Sequence, residues 1–332
     1  MEIRILAVGD VCGQPGLDCL EKKLKPFKKE QNIAFAVVNG ENANVVGITP
    51  KQADLIFRAG ADVITLGNHT WTRTELQPYL DERTKILRPA NFGPQCPGRG
   101  IAVYSTDFGE VCVLNLMGRF TLDSNTDNPF VIADGYMAEI REKIILVDFH
   151  AEGTSEKRAM GFLLDGRASA VWGTHTHVQT SDACVLPKGT GYISDLGMTG
   201  AVHSVLGIDP EQSIGKFMGD PPRRYASASG PTKLEGCIFT IDTETDSYED
   251  AIRTVHAAYG KPQPEPGRRP EVQLEDGRVS EVRHEPERLR DVHAWVHLAD
   301  VVPGPGHRPV QPLVLEDEPT HRSALCAPSS RR

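Results

Sequence analysis

Short apolar runs recur from the start of the chain, at residues 3–8, 33–38, 62–66, 111–117, 144–149 and 170–172. Each is brief and nearly continuous, the pattern of a strand buried on both faces. Between them, residues 16–30 are amphipathic and lysine-rich on one side. Residues 52–59 are framed by Thr49 as N-cap, Pro50 in the first turn and Gly60 just past the end. Strand and helix alternate, which predicts an α/β layered fold with a mostly parallel sheet.

Composition narrows the class. The 332 residues are 39% apolar with 31 glycines, ordinary for one large α/β domain or two modest ones. No apolar run approaches the ~18 residues of a membrane span, and the opening Met1-Glu2-Ile3-Arg4 does not read as a signal peptide. Seven cysteines, an odd number without C-x-x-C spacing, indicate neither a disulfide framework nor a thiolate zinc site, so a cytoplasmic location is expected. A formal charge of -9 argues against a general phosphate-gripping surface for nucleic acid. It leaves a small phosphate ester open, because bound cations can reverse the field of a cleft.

The composition breaks near residue 259. Residues 260–332 carry 11 of the 24 prolines and 5 of the 11 histidines, with one lysine against ten arginines. That bias predicts a largely disordered tail. Within it, residues 289–301 have apolar side chains at helical spacing, suggesting a short helix on which His293 and His297 imitate a zinc pair without a third ligand.

Metal-competent side chains fall at the carboxyl ends of the apolar runs: Asp10 after the first, Glu41 and Asn42 after the second, Asn68 and His69 after the third, His150 at the end of a later one, His175 and His177 after the last. Ligands of open α/β sheets bind outside the carboxyl ends of the strands, so these residues are expected to converge. Singly, Asp10, Asn42 and Asn68 read equally well as turn or cap residues and His150 as a core histidine. Together they offer two carboxylates, two amides and four imidazoles, more than one ion needs. Oxygen and imidazole without thiolate suits manganese, iron or zinc. Glu41, with two oxygens, could bridge two ions about 3.5–4 Å apart, the arrangement used for in-line displacement at phosphorus. His175 and His177 are two apart, so on extended chain their rings share a side and each could reach a metal.

The motifs Gly9-Asp10-Val11, Asn39-Gly40-Glu41-Asn42-Ala43, Gly67-Asn68-His69-Thr70-Trp71, Arg88-Pro89-Ala90-Asn91-Phe92, Asp148-Phe149-His150-Ala151-Glu152 and Gly173-Thr174-His175-Thr176-His177 resemble the YmdB-like branch of the calcineurin-like metallophosphoesterases. The resemblance covers about residues 3–258. It implies a four-layer α/β/β/α sandwich over a domain of residues 1–259, an iron or manganese pair with zinc as the alternative, and phosphodiesterase activity that includes 2′,3′-cyclic nucleotides. By position, Asp10, Glu41, Asn42 and His177 would hold one ion and Glu41, Asn68, His150 and His175 the other, with a bridging hydroxide as nucleophile. His69 would be the proton donor, a role that suits an imidazole with an ordinary pKa of about 6.5.

Other residues carry open readings. Cys12 stands where the wider superfamily has a histidine, as a soft ligand or a packing residue. Trp71 could stack on a base or pack in the core, Arg119 could meet a phosphate or solvent, and His203 could line the cleft. Cyclic nucleotides are the expected partners, with RNA ends, RNA-processing proteins and self-association left open and no membrane. The rival reading is a regulatory or scaffolding protein whose hydrolysis is slow or incidental.

Overall fold

The computed structural model describes residues 1–122 and 125–243 and, as backbone, 253–256 and 296–299. A separate unit, Val301–Arg332, lies outside them, as does almost all of the 260–332 segment for which disorder is expected.

The chain opens with β1 (Glu2–Val8), β2 (Asp10–Val11), α1 (Gly13–Glu30), β3 (Ile33–Asn39), α2 (Pro50–Ala59), β4 (Val63–Thr65), α3 (Leu76–Glu82) and β5 (Ile86–Leu87). It continues through β6 (Ile101–Thr106), β7 (Gly109–Met117), α4 (Pro129–Glu139), β8 (Ile144–His150), α5 (Thr154–Leu164), β9 (Ala170–Thr174), β10 (Cys184–Val185), β11 (Gly191–Ile193), β12 (Met198–Ala201) and α6 (Pro210–Met218). It then adds β13 (Thr232–Asp242), β14 (Arg253–His256) and β15 (Val296–Ala299). α2 is bounded as its sequence requires: Thr49 and Gln52 form a capping box, and Gly60 closes the helix at φ 119.

These strands form two sheets where the apolar runs alone suggested one. The first has the order β2-β12-β13-β1-β3-β4-β5, with β14 and β15 on the far edge of β13; the second runs β10-β11-β9-β8-β7-β6. Strands β1, β3, β4 and β5 are parallel, as are β7, β8, β9 and β11. The exception inside the first sheet is β13, antiparallel to β1 over the whole of β1, from Glu2↔Asp242 to Val8↔Gly236.

Alternation of side chains along β1 shows how the layers assemble. Leu6 and Val8 meet Leu17, Leu20 and Leu24 of α1 in one core. Ile3, Ile5 and Ala7 point the other way and meet Val111, Val113, Leu146 and Trp172 of the second sheet. A third core joins Leu114, Val147 and Phe149 to Ala133 of α4 and to Met160 and Leu164 of α5. The layers are therefore helix, sheet, sheet, helix. A strand buried between a helix and another sheet is as continuously apolar as one buried between two helices, so the runs could not count the sheets.

The predicted helix at 289–301 is not the conformation of its described part: Val296–Ala299 pairs antiparallel to β13 from Lys233↔Ala299 to Gly236↔Val296. An open sheet edge there satisfies the backbone across the ladder. The six described cysteines are all free thiols, and no described helix is long and apolar enough to cross a membrane.

Candidate metal centre

The eight residues singled out in the sequence come together where the carboxyl ends of β1, β3, β4, β8 and β9 meet. Asp10, Glu41 and His150 are fully buried, Asn42 nearly so, and Asn68, His69, His175 and His177 are half-buried.

Around His150 the potential ligand atoms converge on one point. Its Nε2 lies 2.9 Å from Glu41 Oε1, 2.9 Å from Asn68 Oδ1 and 3.1 Å from His175 Nδ1. Donors bound at about 2.0–2.1 Å in a tetrahedral site stand roughly 3.3–3.4 Å apart, so this cluster fits a metal with only small adjustment. Among the described residues, Glu41, His150 and His175 form a group able to hold an ion. Beside it, the Asn42 amide nitrogen lies 3.3 Å from Glu41 Oε1, 3.1 Å from His177 Nε2 and 3.5 Å from Asp10 Oδ1, and His177 Nε2 is 3.5 Å from the same Asp10 oxygen. Glu41 Oε1 thus belongs to both clusters. Its Oε2 accepts from the backbone N–H of His69 at 3.1 Å, and the His69 Nε2 lies 3.4 Å from the Asn68 amide nitrogen.

The buried carboxylates and imidazoles hold one another in their charged forms. Burial works to raise the carboxyls of Asp10 and Glu41, yet both are held low, Asp10 chiefly by His177 and Glu41 chiefly by His150. The imidazoles respond in kind. Burial disfavours their charged forms, but Glu41 raises His150, and Cys12 and Asp10 raise His177. His175 goes the other way, to about 3, through burial and repulsion by His150. Its contact with Glu152 Oε2, 3.1 Å from Nε2, sits at an exposed rim and does not outweigh those effects. A neutral His175 donates Nε2–H to that carboxylate and keeps Nδ1 as a lone pair toward the cluster.

A second set of buried groups orients the first, and the sequence reading assigned it no role. Thr174 Oγ1 donates to Asp148 Oδ1 at 2.8 Å and lies 2.9 Å from His150 Nδ1, so it accepts the Nδ1 proton and turns Nε2 toward Glu41 and Asn68. Asp148 also accepts from Thr65 Oγ1 at 2.5 Å and from Asn39 at 3.4 Å, while burial pushes it up to about 6. A charged residue inside the apolar run of β8 was the available signal. The space for the His150 ring comes from Gly67, where a Cβ would lie 2.2 Å from its Cδ2.

The extended geometry expected for His175 and His177 is not what forms. Both adopt left-handed backbone, at φ 100 and 62, and their rings reach different clusters. Cys12 packs behind His177, its Sγ 3.5 Å from Nδ1 and 3.4 Å from the Asp10 carbonyl, on the side away from the Nε2 that faces Asp10. Trp71 packs edge-on against Phe92 at 5.2 Å beside the first core. Arg119 and His203 are exposed, and Arg119 is tied through its backbone N–H to Glu156. His293 lies outside the described residues. In Arg88-Pro89-Ala90-Asn91, the guanidinium donates to the carbonyls of Pro89 and Pro97, and Asn91 exchanges hydrogen bonds with Met117, the register partner of His150. That motif braces the strand end beneath the cluster.

Comparison with known proteins identifies the family of the chain. The model of the YmdB-like protein family matches residues 6–254. The 2′,3′-cyclic-nucleotide 2′-phosphodiesterase of Bacillus subtilis is 46% identical over 246 residues, 73% of this chain and 93% of that protein. A phosphatase of Mycoplasma pneumoniae of known crystal structure superposes with a TM-score of 0.70 at 32% identity, over 77% of this chain and 94% of the other. A hypothetical protein of Thermus thermophilus does so with 0.67 at 37%, over 73% and 94%. The chain belongs to the YmdB-like protein family and is a phosphoesterase.

Proposed function

We propose that the chain is a two-metal phosphodiesterase that opens 2′,3′-cyclic nucleotides, with Asp10, Glu41, Asn42 and His177 holding one iron or manganese ion and Glu41, Asn68, His150 and His175 the other. The observation that carries the reading is the position of Glu41 Oε1, shared between two convergent ligand sets. Ions held there supply positive charge for the phosphoryl oxygens and acidify water at neutral pH. The name of the Bacillus subtilis relative favours cyclic 2′,3′ diesters. Its 2′ specificity corresponds to water adding to phosphorus while the bond to O2′ breaks, leaving a 3′-phosphate.

The departing O2′ needs a proton, and His69 is the donor in this reading. Its ring is half-exposed at the rim, next to Asn68, and its backbone N–H is anchored on Glu41 Oε2 at 3.1 Å, so the same carboxylate that joins the two ligand sets also sets the position of the acid. A cytoplasmic site of action accords with the free thiols.

The test is hydrolysis of 2′,3′-cyclic AMP by wild type and His69→Ala, each with manganese and with chelator, alongside metal content. Wild type should require metal, and His69→Ala should lose about 10²–10⁴-fold in rate while keeping its ions. A metal-loaded wild type inactive on this and other diesters refutes the enzymatic reading and favours one based on partners.

A further inference from the structure

Lys157 and Asp195 form an ion pair of 2.7 Å in which the two side chains are only 2% and 1% exposed. Such pairs are poor stabilisers, because removing both charges from water offsets most of their attraction, and apolar replacements often fold as well or better. The pair is joined to the segment between two candidate ligands. Asp195 Oδ2, which meets Lys157 Nζ, also accepts from Thr176 Oγ1 at 2.7 Å and from the Thr176 backbone N–H at 3.2 Å. Its Oδ1 accepts from Gly197 N–H at 2.9 Å, and its carbonyl from Thr180 N–H at 3.1 Å. The lysine stem crosses Gly173 so closely that a Cβ there would lie 2.8 Å from Lys157 Cδ.

Thr176 is the residue between His175 and His177, and the residues on both sides of it hold left-handed backbone that side-chain-bearing residues seldom adopt. Such conformations persist only where the surroundings over-determine them. The hydrogen bonds and the ion pair converging on Thr176 and Asp195 provide that constraint. Its result is a reversal between neighbours: His175 Nδ1 turns to His150 at 3.1 Å, while His177 Nε2 turns to Asp10 and Asn42. Relaxed to an extended strand, the two rings would share one side and this reversal would be lost.

We propose that the buried Lys157–Asp195 pair is the positioning device of this centre, clamping Thr176 so that His175 and His177 are delivered to different ions. The proposal rests on the two-metal reading. Lys157 and Asp195 touch neither ion nor substrate; they act through the backbone of Thr176.

The experiment is manganese binding, followed by calorimetric titration and metal analysis, on full-length wild type, the paired replacement Lys157→Met with Asp195→Leu, Thr176→Val and Thr176→Ser. Circular dichroism and thermal unfolding of the chelated proteins establish folding. Wild type should bind two ions. The folded paired variant should lose at least tenfold in affinity for one or both. Thr176→Val, isosteric but without the donor, should lose about tenfold at an unchanged chelated melting temperature, and Thr176→Ser, which keeps the donor, should stay within twofold of wild type. A folded paired variant that binds two ions like wild type overturns the proposal. If that variant does not fold, Thr176→Val binding as tightly as Thr176→Ser overturns it instead. A wild type that binds no ion sinks the metal reading and this inference with it, whereas a two-ion wild type with unaffected variants sinks this inference alone.

Discussion

Thr174 Oγ1 lies 2.9 Å from Nδ1 of His150, at the foot of the most deeply buried imidazole in the molecule's ligand cluster. Because the same hydroxyl donates to Asp148, it can only accept from the ring, and this fixes which ring nitrogen is free. Replacing Thr174 with valine keeps the shape and removes the acceptor. Manganese affinity should fall by about 10–100-fold, the usual cost of losing an outer partner of a ligating histidine. The chelated protein should lose about 1–3 kcal/mol in urea unfolding, from a buried N–H left without a partner. Thr174→Ser should behave as wild type in both.

Gly67→Ala places a methyl where the His150 ring now sits, 2.2 Å from Cδ2 and 2.3 Å from Nε2. The ring must leave its position, so metal analysis should show at least one ion lost. Overpacking of this kind costs about 1–3 kcal/mol, readable as a lower melting temperature. An alanine variant with two ions and an unchanged melting temperature contradicts the geometry.

The chelated protein should become less stable between pH 7 and 9. The folded-state pKa values of His150 and His177 lie above the ordinary imidazole value, because Glu41 and, for His177, Cys12 and Asp10 outweigh burial. The native state therefore holds protons that the unfolded chain has released. Their stabilisation is complete below about 6.5 and is lost as pH rises through the folded values. His175, lowered to about 3, acts in the opposite sense but only below about 6.5. Asp148, raised to about 6, loses its share between about 4 and 6. Both fall outside the window. With saturating manganese the trend should reverse, since metal competes with these protons. Thermal unfolding at pH 7, 8 and 9 with chelator decides it; a melting temperature that holds or rises counts against it.

Glu41→Gln should trade stability for metal. The carboxyl is fully buried and kept ionised chiefly by His150, so once that proton leaves it is an uncompensated interior charge. With chelator, at a pH where His150 has lost that proton, the glutamine variant should melt higher than wild type, yet its manganese content should drop from two ions to one or none. A variant that retains two ions would show that Glu41 does not join the sites.

The convergence of the candidate site was legible because each of Asp10, Glu41, Asn68, His150 and His175 follows closely on, or ends, an apolar run that forms a strand, and parallel strands deliver their carboxyl ends to one side. What could not be read depends on partners distant in sequence. Thr65, Asn39 and Asp148 come from three strands in two sheets, and their meeting is a matter of how those sheets stack. The left-handed turns at His175 and His177 are held from Asp195, well downstream, so local spacing suggested extended chain. β13 escaped notice because Thr232, Lys233 and Glu235 interrupt the apolar pattern at its start, although Glu235 is itself buried and accepts from Met198 N–H.

The place of β13 bears on the order in which the protein is made. β1 leaves the ribosome well before β13, yet its second edge is covered by Gly236–Asp242, and the N–H of Gly9, next to Asp10, awaits the carbonyl of Glu235. At about 5–20 residues per second, roughly 10–50 s of synthesis separate the two strands. The first candidate ligand of the chain is thus among the last to be locked in place, and through that interval β1 presents an open edge to any chaperone or neighbouring nascent chain.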